Sequence, residues 1–297
     1  LALCALPFFA LNIAYNITHC WTNVMFNVYN RKRLHADSAP PTLRRYGFLL
    51  LPRFSLSSYA LAMDVLAAAN DRAERKLYDT LTLSLDGGRV RAANGIDLAA
   101  DLAPEFAPKL DGIFVFADDL NVDFDSDLLA QQLMPFAQEG CLIAGMETAS
   151  FLLARIGLLS GYRATIHWEE MARFSEAFDD VIVSSNLFEI DRQRASCAGG
   201  AATLDFMLTL IGQQHGNEFA AEISERFSLE RIRPGSERQR IPLKNRLGSS
   251  HPKLTQAVLL MEANIEEPLT TDEIATHVCV SRRQLERIFK QYLNRVP

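Results

Sequence analysis

Cys141-Leu142-Ile143-Ala144-Gly145-Met146-Glu147-Thr148-Ala149-Ser150 is the stretch on which the fold turns. Residues 141–145 form an unbroken apolar run and read as a strand buried on both faces. Residues 148–159 read as a helix that follows with almost no loop between. A tight strand-to-helix turn lifts one side chain out of the sheet, which is the geometry of a nucleophile elbow. The same grammar extends in both directions. Tyr46-Gly47-Phe48-Leu49-Leu50-Leu51 is an apolar run closed by Pro52, and residues 56–70 carry Leu61, Val65 and Leu66 at helical spacing. Residues 78–85 alternate as a second strand, ended by the turn Asp86-Gly87-Gly88. Gly112-Ile113-Phe114-Val115-Phe116 is a third buried strand, with Asp118 and Asp119 just past its end, and residues 128–138 are helical. Residues 181–183 and 187–190 read as short strands and residues 201–214 as a long apolar helix. Continuously apolar strands alternating with helices predict an α/β fold, a mostly parallel sheet sandwiched by helices. Ligands of such sheets sit beyond the carboxyl ends of strands, so the loops after Leu51, Phe116 and Gly145 are the expected site.

The chain has 297 residues, 48% of them hydrophobic and 22% charged, with a net charge of -6. That supports one large or two ordinary domains and excludes a uniformly basic nucleic-acid coat, though not a local basic face. The five cysteines (Cys4, Cys20, Cys141, Cys197 and Cys279) are odd in number and far apart. No pair has metal-ligand spacing, so neither a disulfide framework, a metal nor another cofactor is expected, and a reducing cytoplasm fits. Residues 1–30 lack Asp, Glu, Lys and Arg, and Arg31-Lys32-Arg33 follows. One reading is a membrane span held by that cluster; Asn12, Asn16, Asn23, Asn27 and His19 argue against it and for a poorly folded extension. Residues 1–43 are therefore set apart from the fold, and no membrane partner is expected.

The run from Phe151 to Trp168 contains Gly157-Leu158-Leu159-Ser160-Gly161-Tyr162-Arg163-Ala164-Thr165-Ile166-His167-Trp168. It resembles the PfpI-type domains of the class I glutamine-amidotransferase-like superfamily, in the version fused to AraC-type regulators. Cys197-Ala198-Gly199-Gly200-Ala201-Ala202-Thr203-Leu204-Asp205 resembles that family's later signature. The resemblance implies a flavodoxin-like sheet. It also places Glu147 where the enzymes carry their nucleophilic Cys, and Ser58 near where they carry an acid. Covalent chemistry needs a polarizable nucleophile and a group that lowers its pKa, so the expectation is a domain that is not an enzyme. Cys141 starts the strand and is no substitute. The alternative is a hydrolase or lyase that uses Glu147 as a base.

Glu147 near a helix N-terminus is expected to stay ionised and to favour a cationic ligand. The competing reading is a structural carboxylate satisfied by backbone donors. By resemblance His167 and Trp168 stand on the pocket side, where an indole face adds cation–π attraction. Each also reads as core packing, and Asp118 as a solvated loop acid. The candidate ligand-binding set is Glu147, Thr148, His167, Trp168, Ser58 and Asp118. Regulators resembling this chain sense nitrogen-rich metabolites such as basic amino acids, betaine and carnitine.

Seven basic residues (Arg226, Arg231, Arg233, Arg238, Arg240, Lys244 and Arg246) stand against Glu230 and Glu237, with Pro234, Gly235 and Pro242 between them. This reads as an interdomain linker, either merely solvated or touching phosphate. Beyond it, residues 253–263 carry Leu254, Val258 and Met261, and Thr270 with Asp272 and Glu273 marks a helix start. Ile274, Ala275, Val278, Val280, Leu285 and Phe289 are the expected contacts between two helices. Ser281-Arg282-Arg283-Gln284-Leu285-Glu286-Arg287-Ile288-Phe289-Lys290 resembles the first helix–turn–helix of the AraC/XylS family, except that Cys279 stands where the family usually has Gly. The resemblance implies that Arg283, Glu286 and Arg287 face bases and that Arg282 and Lys290 face phosphates of double-stranded promoter DNA. A solvated basic helix is the alternative.

The expected organisation is an extension over residues 1–43 and a sensor over 44–230. A basic linker over 231–250 and a small all-α helix–turn–helix module over 251–297 follow. The family's module has two such units and this chain carries the first. The expected function is a homodimeric, ligand-responsive transcription regulator, or else a truncated, non-functional fragment of one.

Overall fold

The computed structural model describes residues 43–121, 125–241 and 251–297. The charge-free run 1–30 lies outside these residues. Among the described residues no helix is long and apolar enough to cross a membrane.

Among the described residues ten strands form: β1 (Arg44–Leu50), β2 (Tyr78–Leu83), β3 (Arg89–Arg91), β4 (Asp97–Ala99), β5 (Gly112–Ala117), β6 (Leu142–Glu147), β7 (Arg163–Ala164), β8 (Ile182–Val183), β9 (Phe188–Asp191) and β10 (Arg194–Cys197). Six of them make the main sheet in the order β2-β1-β5-β6-β10-β9. Every neighbour pair is parallel except β9 with β10. The helices α1 (Leu56–Ala73), α2 (Ser126–Gln138), α3 (Ala149–Arg155), α4 (Met171–Ala177), α5 (Ala202–His215) and α6 (Asn217–Glu225) cover its faces. The period-2 alternation of a strand assigns each residue to a face. Phe48, Phe114 and Met146 pack one way, against Val65 of α1, Phe206 of α5 and Ile223 of α6. Leu49, Val115 and Ile143 pack the other way, against Leu133 of α2, Leu153 of α3 and Phe174 of α4. Both faces are buried, which is why these strands read as unbroken apolar runs.

Several short or polar elements differ from the sequence reading. β10 lies between β6 and β9, yet Arg194-Ala195-Ser196-Cys197 lacks an apolar run. Arg194 is 7% exposed and its guanidinium donates to the carbonyls of Leu158 and Gln193. The β3–β4 hairpin, α4 and α6 are likewise short or polar on one side. The helix expected over 148–159 stops at Arg155.

The composition after α6 predicts a connector from residue 231. Residues 231–241 instead lie on the sensor. Leu187 N–H donates to the carbonyls of Gly235 and Glu237, Gln239 N–H donates to Ser185, and Asn186 bridges Arg238 as an antiparallel pair. Arg233 makes a fork to Asp205 at 2.9 and 2.6 Å. Ile232 packs against the same core as α5 and α6.

The carboxyl-terminal helices are α7 (Pro252–Ala263), α8 (Thr271–His277) and α9 (Arg282–Leu293). Leu254, Ala257, Ile274, Ala275, Val278, Leu285, Ile288 and Phe289 form their common core, and Val258, Val280 and Met261 pack at its rim. Thr270 and Glu273 close a capping box at the start of α8. Cys279 in the turn has φ 55°, the left-handed region that favours Gly. Cys279→Gly is therefore expected to stabilise the module by about 0.5–1 kcal/mol, read as a higher urea midpoint of the helical signal.

Candidate functional site

The carboxyl ends of β1, β5, β6 and β10 come into line. Leu50 pairs with Phe116, Ala117 with Glu147 and Cys197 with Met146. The loops past Leu51, Phe116 and Gly145 thus meet as the alternation predicted, and the loop after Cys197 joins them. Glu147 is the elbow residue: its φ is 58°, a conformation few non-glycine residues hold without support from their surroundings. Gly145 makes the close passage possible, because a Cβ there would lie 2.8 Å from the backbone nitrogen of Ser150.

Glu147 is 6% exposed and Ser58 is fully buried. The Ser58 hydroxyl donates to Glu147 Oε1. Gly200 N–H donates to both, at 2.8 Å to Glu147 Oε1 and 2.9 Å to Ser58 Oγ. The described hydrogen bonds to the carboxylate all fall on Oε1. Gly199 and Gly200 both have positive φ, 87° and 55°, and this bend is what aims the Gly200 amide inward. The Gly-Gly pair was visible in the sequence, but nothing in its spacing gave it a role at the elbow.

Burial raises the Glu147 carboxyl above the ordinary carboxylate range, and the charge of Asp118 adds to the rise. The bonds from Ser58 and Gly200, and the proximity of His167, oppose it. This reverses the direction expected from a helix dipole alone: α3 is seven residues long, and desolvation outweighs its field. Burial raises Asp118 too, again opposed by His167. The folded chain therefore binds the Glu147 proton more tightly than the unfolded chain does. The stability this gives is fully present below the ordinary carboxylate range and is lost as pH rises through the raised pKa. Glu147→Gln removes that dependence. The melting temperature of the variant minus that of the wild type is expected to grow as pH climbs above about 4.5 and to level off above the raised pKa. A difference that shrinks with rising pH would reverse the assignment.

Thr148 is 4% exposed and its Oγ1 finds no partner among the described residues. His167 and Trp168 are half-buried, with ring centroids 5.5 Å apart, and His167 Nδ1 lies 3.7 Å from Glu169. The sheet end thus gathers Ser58, Asp118, Glu147 and Thr148, with His167 near enough to act on both carboxyls. Cys141 and Cys197 are buried, and burial pushes both thiols up to about 12, so neither supplies a thiolate at neutral pH. Among the described residues no group of three or more His, Cys, Asp or Glu could hold a metal ion.

On α9, Arg283, Arg287 and Lys290 are exposed at i, i+4 and i+7 and share one face. Arg282 and Glu286 are engaged with each other: Arg282 Nε meets Glu286 at 2.9 Å and its Nη1 meets Asp272 at 3.0 Å. Arg282 thus ties α9 to the start of α8.

No family model matches the chain. It is 48% identical over 269 residues to the HTH-type transcriptional regulator ArgR of Pseudomonas aeruginosa, covering 86% of this chain and 76% of that one. It is 44% identical to the HTH-type transcriptional regulator GbdR of the same species, over 89% and 72%. An AraC family transcriptional regulator from Pseudomonas putida superposes with a TM-score of 0.57 at 31% identity, covering 62% of this chain and 99% of that one. Drosophila melanogaster DJ-1beta superposes at 0.54 with 18% identity, over 64% and 100%, a likeness of fold alone. With a flavodoxin-like DJ-1/PfpI domain ahead of a helix–turn–helix, the chain belongs to the AraC-type HTH transcriptional regulators.

Proposed function

We propose that the sensor binds a small nitrogenous metabolite, cationic or zwitterionic, without turning it over, and that occupancy biases binding of α9 to promoter DNA. One observation carries the reading: Glu147 and Asp118 are both carboxyls whose ionised form burial disfavours. A cation beside them would offset that penalty, and the oxygen of Glu147 not held by Ser58 and Gly200 is the natural contact. Thr148, His167 and Trp168 complete the proposed ligand-binding set, the indole as a cation–π platform. The elbow has no thiol, which supports binding over catalysis. On the DNA side, Arg283 and Arg287 are assigned to base edges and Lys290 to phosphate. Glu286 reaches bases only after leaving Arg282. A homodimer is the expected active form.

A thermal-shift screen of the full chain against arginine, ornithine, betaine, carnitine and neutral amino acids tests the ligand. At a hundredfold excess over the dissociation constant a bound cation stabilises by ~2.7 kcal/mol, a shift of several degrees. The expected outcome is a cation-specific shift that is lost in Glu147→Gln. A shift with neutral amino acids only, or one unchanged in the variant, would remove charge matching from the reading. A raised carboxyl also suits a general base, so a second reading is hydrolysis or lyase chemistry at Glu147. Turnover of a panel of amides abolished by Glu147→Gln would favour it.

A further inference from the structure

The segment 231–241 lies on the sensor, and its two side-chain anchors bond to stretches of chain that also carry residues of the Glu147 site. The first is Asp205, 1% exposed, on the opening turn of α5. It accepts Arg233 N–H at 2.7 Å and the Arg233 guanidinium at 2.9 and 2.6 Å. Asp205 stands five residues after Gly200, whose amide holds Glu147, and the helix between them begins at Ala202. The second is the segment carrying His167. Gln239, 8% exposed, donates through Nε2 to Ile166 O at 2.8 Å, Thr165 Oγ1 at 3.0 Å and Asn186 O at 3.1 Å. Thr165 is fully buried; its N–H donates to Ser196 Oγ on β10 at 2.8 Å and its hydroxyl donates to Asn186 O at 2.8 Å.

Gln239 therefore bonds the two residues that directly precede His167. Its amide nitrogen has two protons and three acceptors in range, so a small displacement of residues 165–167 redistributes these bonds without breaking all of them. Its Oε1 is buried without a partner among the described residues. Arg238 and Arg240, on either side of Gln239, are exposed. The segment is thus fixed by inward groups bonded beside residues of the Glu147 site, and its far end, Ile241, precedes α7 in the chain.

We propose that residues 231–241 are a strap that carries pocket occupancy to the helix–turn–helix, with Gln239 and the Arg233–Asp205 fork as its two couplers. The proposal rests on the sensor reading above for its ligand, but its mechanical content does not: a displacement of residues 165–167 or 199–201 changes the bonds that hold the strap, and the reverse.

Hydrogen–deuterium exchange on the full chain, without ligand, tests that reciprocity. Gln239→Ala cuts the link from the strap side. The Thr165 and Gly200 amides, both outside the strap, are expected to exchange about tenfold faster, the effect of losing hydrogen bonds of ordinary net strength. Thr165→Val weakens it from the other side, removing one of the three acceptors of Gln239 and the Thr165 bond to Asn186 O, and is expected to speed exchange at Leu187 and Gln239 by a smaller factor. Arg231→Ala, which loses only the pair with Glu237 inside the strap, is expected to leave both pocket amides unchanged. The proposal fails if each variant loosens only its own segment. It also fails if Arg231→Ala acts like Gln239→Ala. Should Gln239→Ala raise exchange everywhere alike, Thr165→Val decides, because it leaves the strap's own sequence intact. Adding L-arginine to the wild type is a separate arm. If it leaves exchange unchanged, the cationic-ligand reading is damaged and the coupling between variants still stands.

Discussion

A Gly199→Ala chain is expected to melt roughly 5–15 °C below the wild type, from ~1 kcal/mol of backbone strain and ~1–3 kcal/mol of overpacking. A Cβ at Gly199 would stand 1.8 Å from the Glu147 carboxyl carbon and 2.0 Å from Oε2, and the backbone there has φ 87°. The carboxylate cannot withdraw easily, because Ser58 and Gly200 hold its Oε1. Relief requires either expelling Glu147 from the elbow or swinging the Gly199-Gly200 loop away. The double variant Gly199→Ala with Glu147→Ala separates the two penalties. It should recover the overpacking part and keep the cost of positive φ. No recovery in the double variant would mean that the loop, rather than the carboxylate, sets the limit.

Arg233→Ala is the other large effect, expected at about 2–4 kcal/mol, toward the lower part of the range for breaking a buried pair because Arg233 itself is partly exposed. Its side chain is 32% exposed while that of Asp205 is 2%. Removing the guanidinium leaves a buried carboxylate with the Arg233 backbone N–H as its remaining donor from the strap. The check is a urea melt of the single variant beside Asp205→Leu combined with Arg233→Met. Apolar groups of similar volume should restore most of the stability, since the loss comes from a stranded charge more than from a missing attraction. A double variant as unstable as the single one would mean that the fork positions the strap in a way packing cannot replace.

The contrast between what was legible and what was not follows from periodicity. The strands Arg44–Leu50, Gly112–Ala117 and Leu142–Glu147 are apolar on both faces and stand out in any window. Arg194–Cys197 is as buried as they are, but its Arg and Ser are satisfied by partners distant in sequence, Leu158 and Thr165. No local rule registers that. Ser58 could be placed opposite Glu147 only through resemblance, because 89 residues separate the two and their meeting depends on β1 and β6 flanking β5. The basic run from 226 onward misled for a related reason. Its charge and its Pro and Gly residues describe a connector, whereas the features that dock it are Gln239 and the burial of Asp205, one inconspicuous residue and one distant from it. Cys279 is the opposite case: its departure from the family's Gly marked a turn whose φ of 55° explains the preference.

Docking of residues 231–241 also fixes how far the carboxyl-terminal helices can travel. A tether free from Glu230 to His251 could extend to about 75 Å at the limit of a fully stretched chain. With Ile241 pinned, the covalent path to Pro252 extends at most about 40 Å. Docking therefore roughly halves the distance over which the carboxyl-terminal helices can range from the sensor.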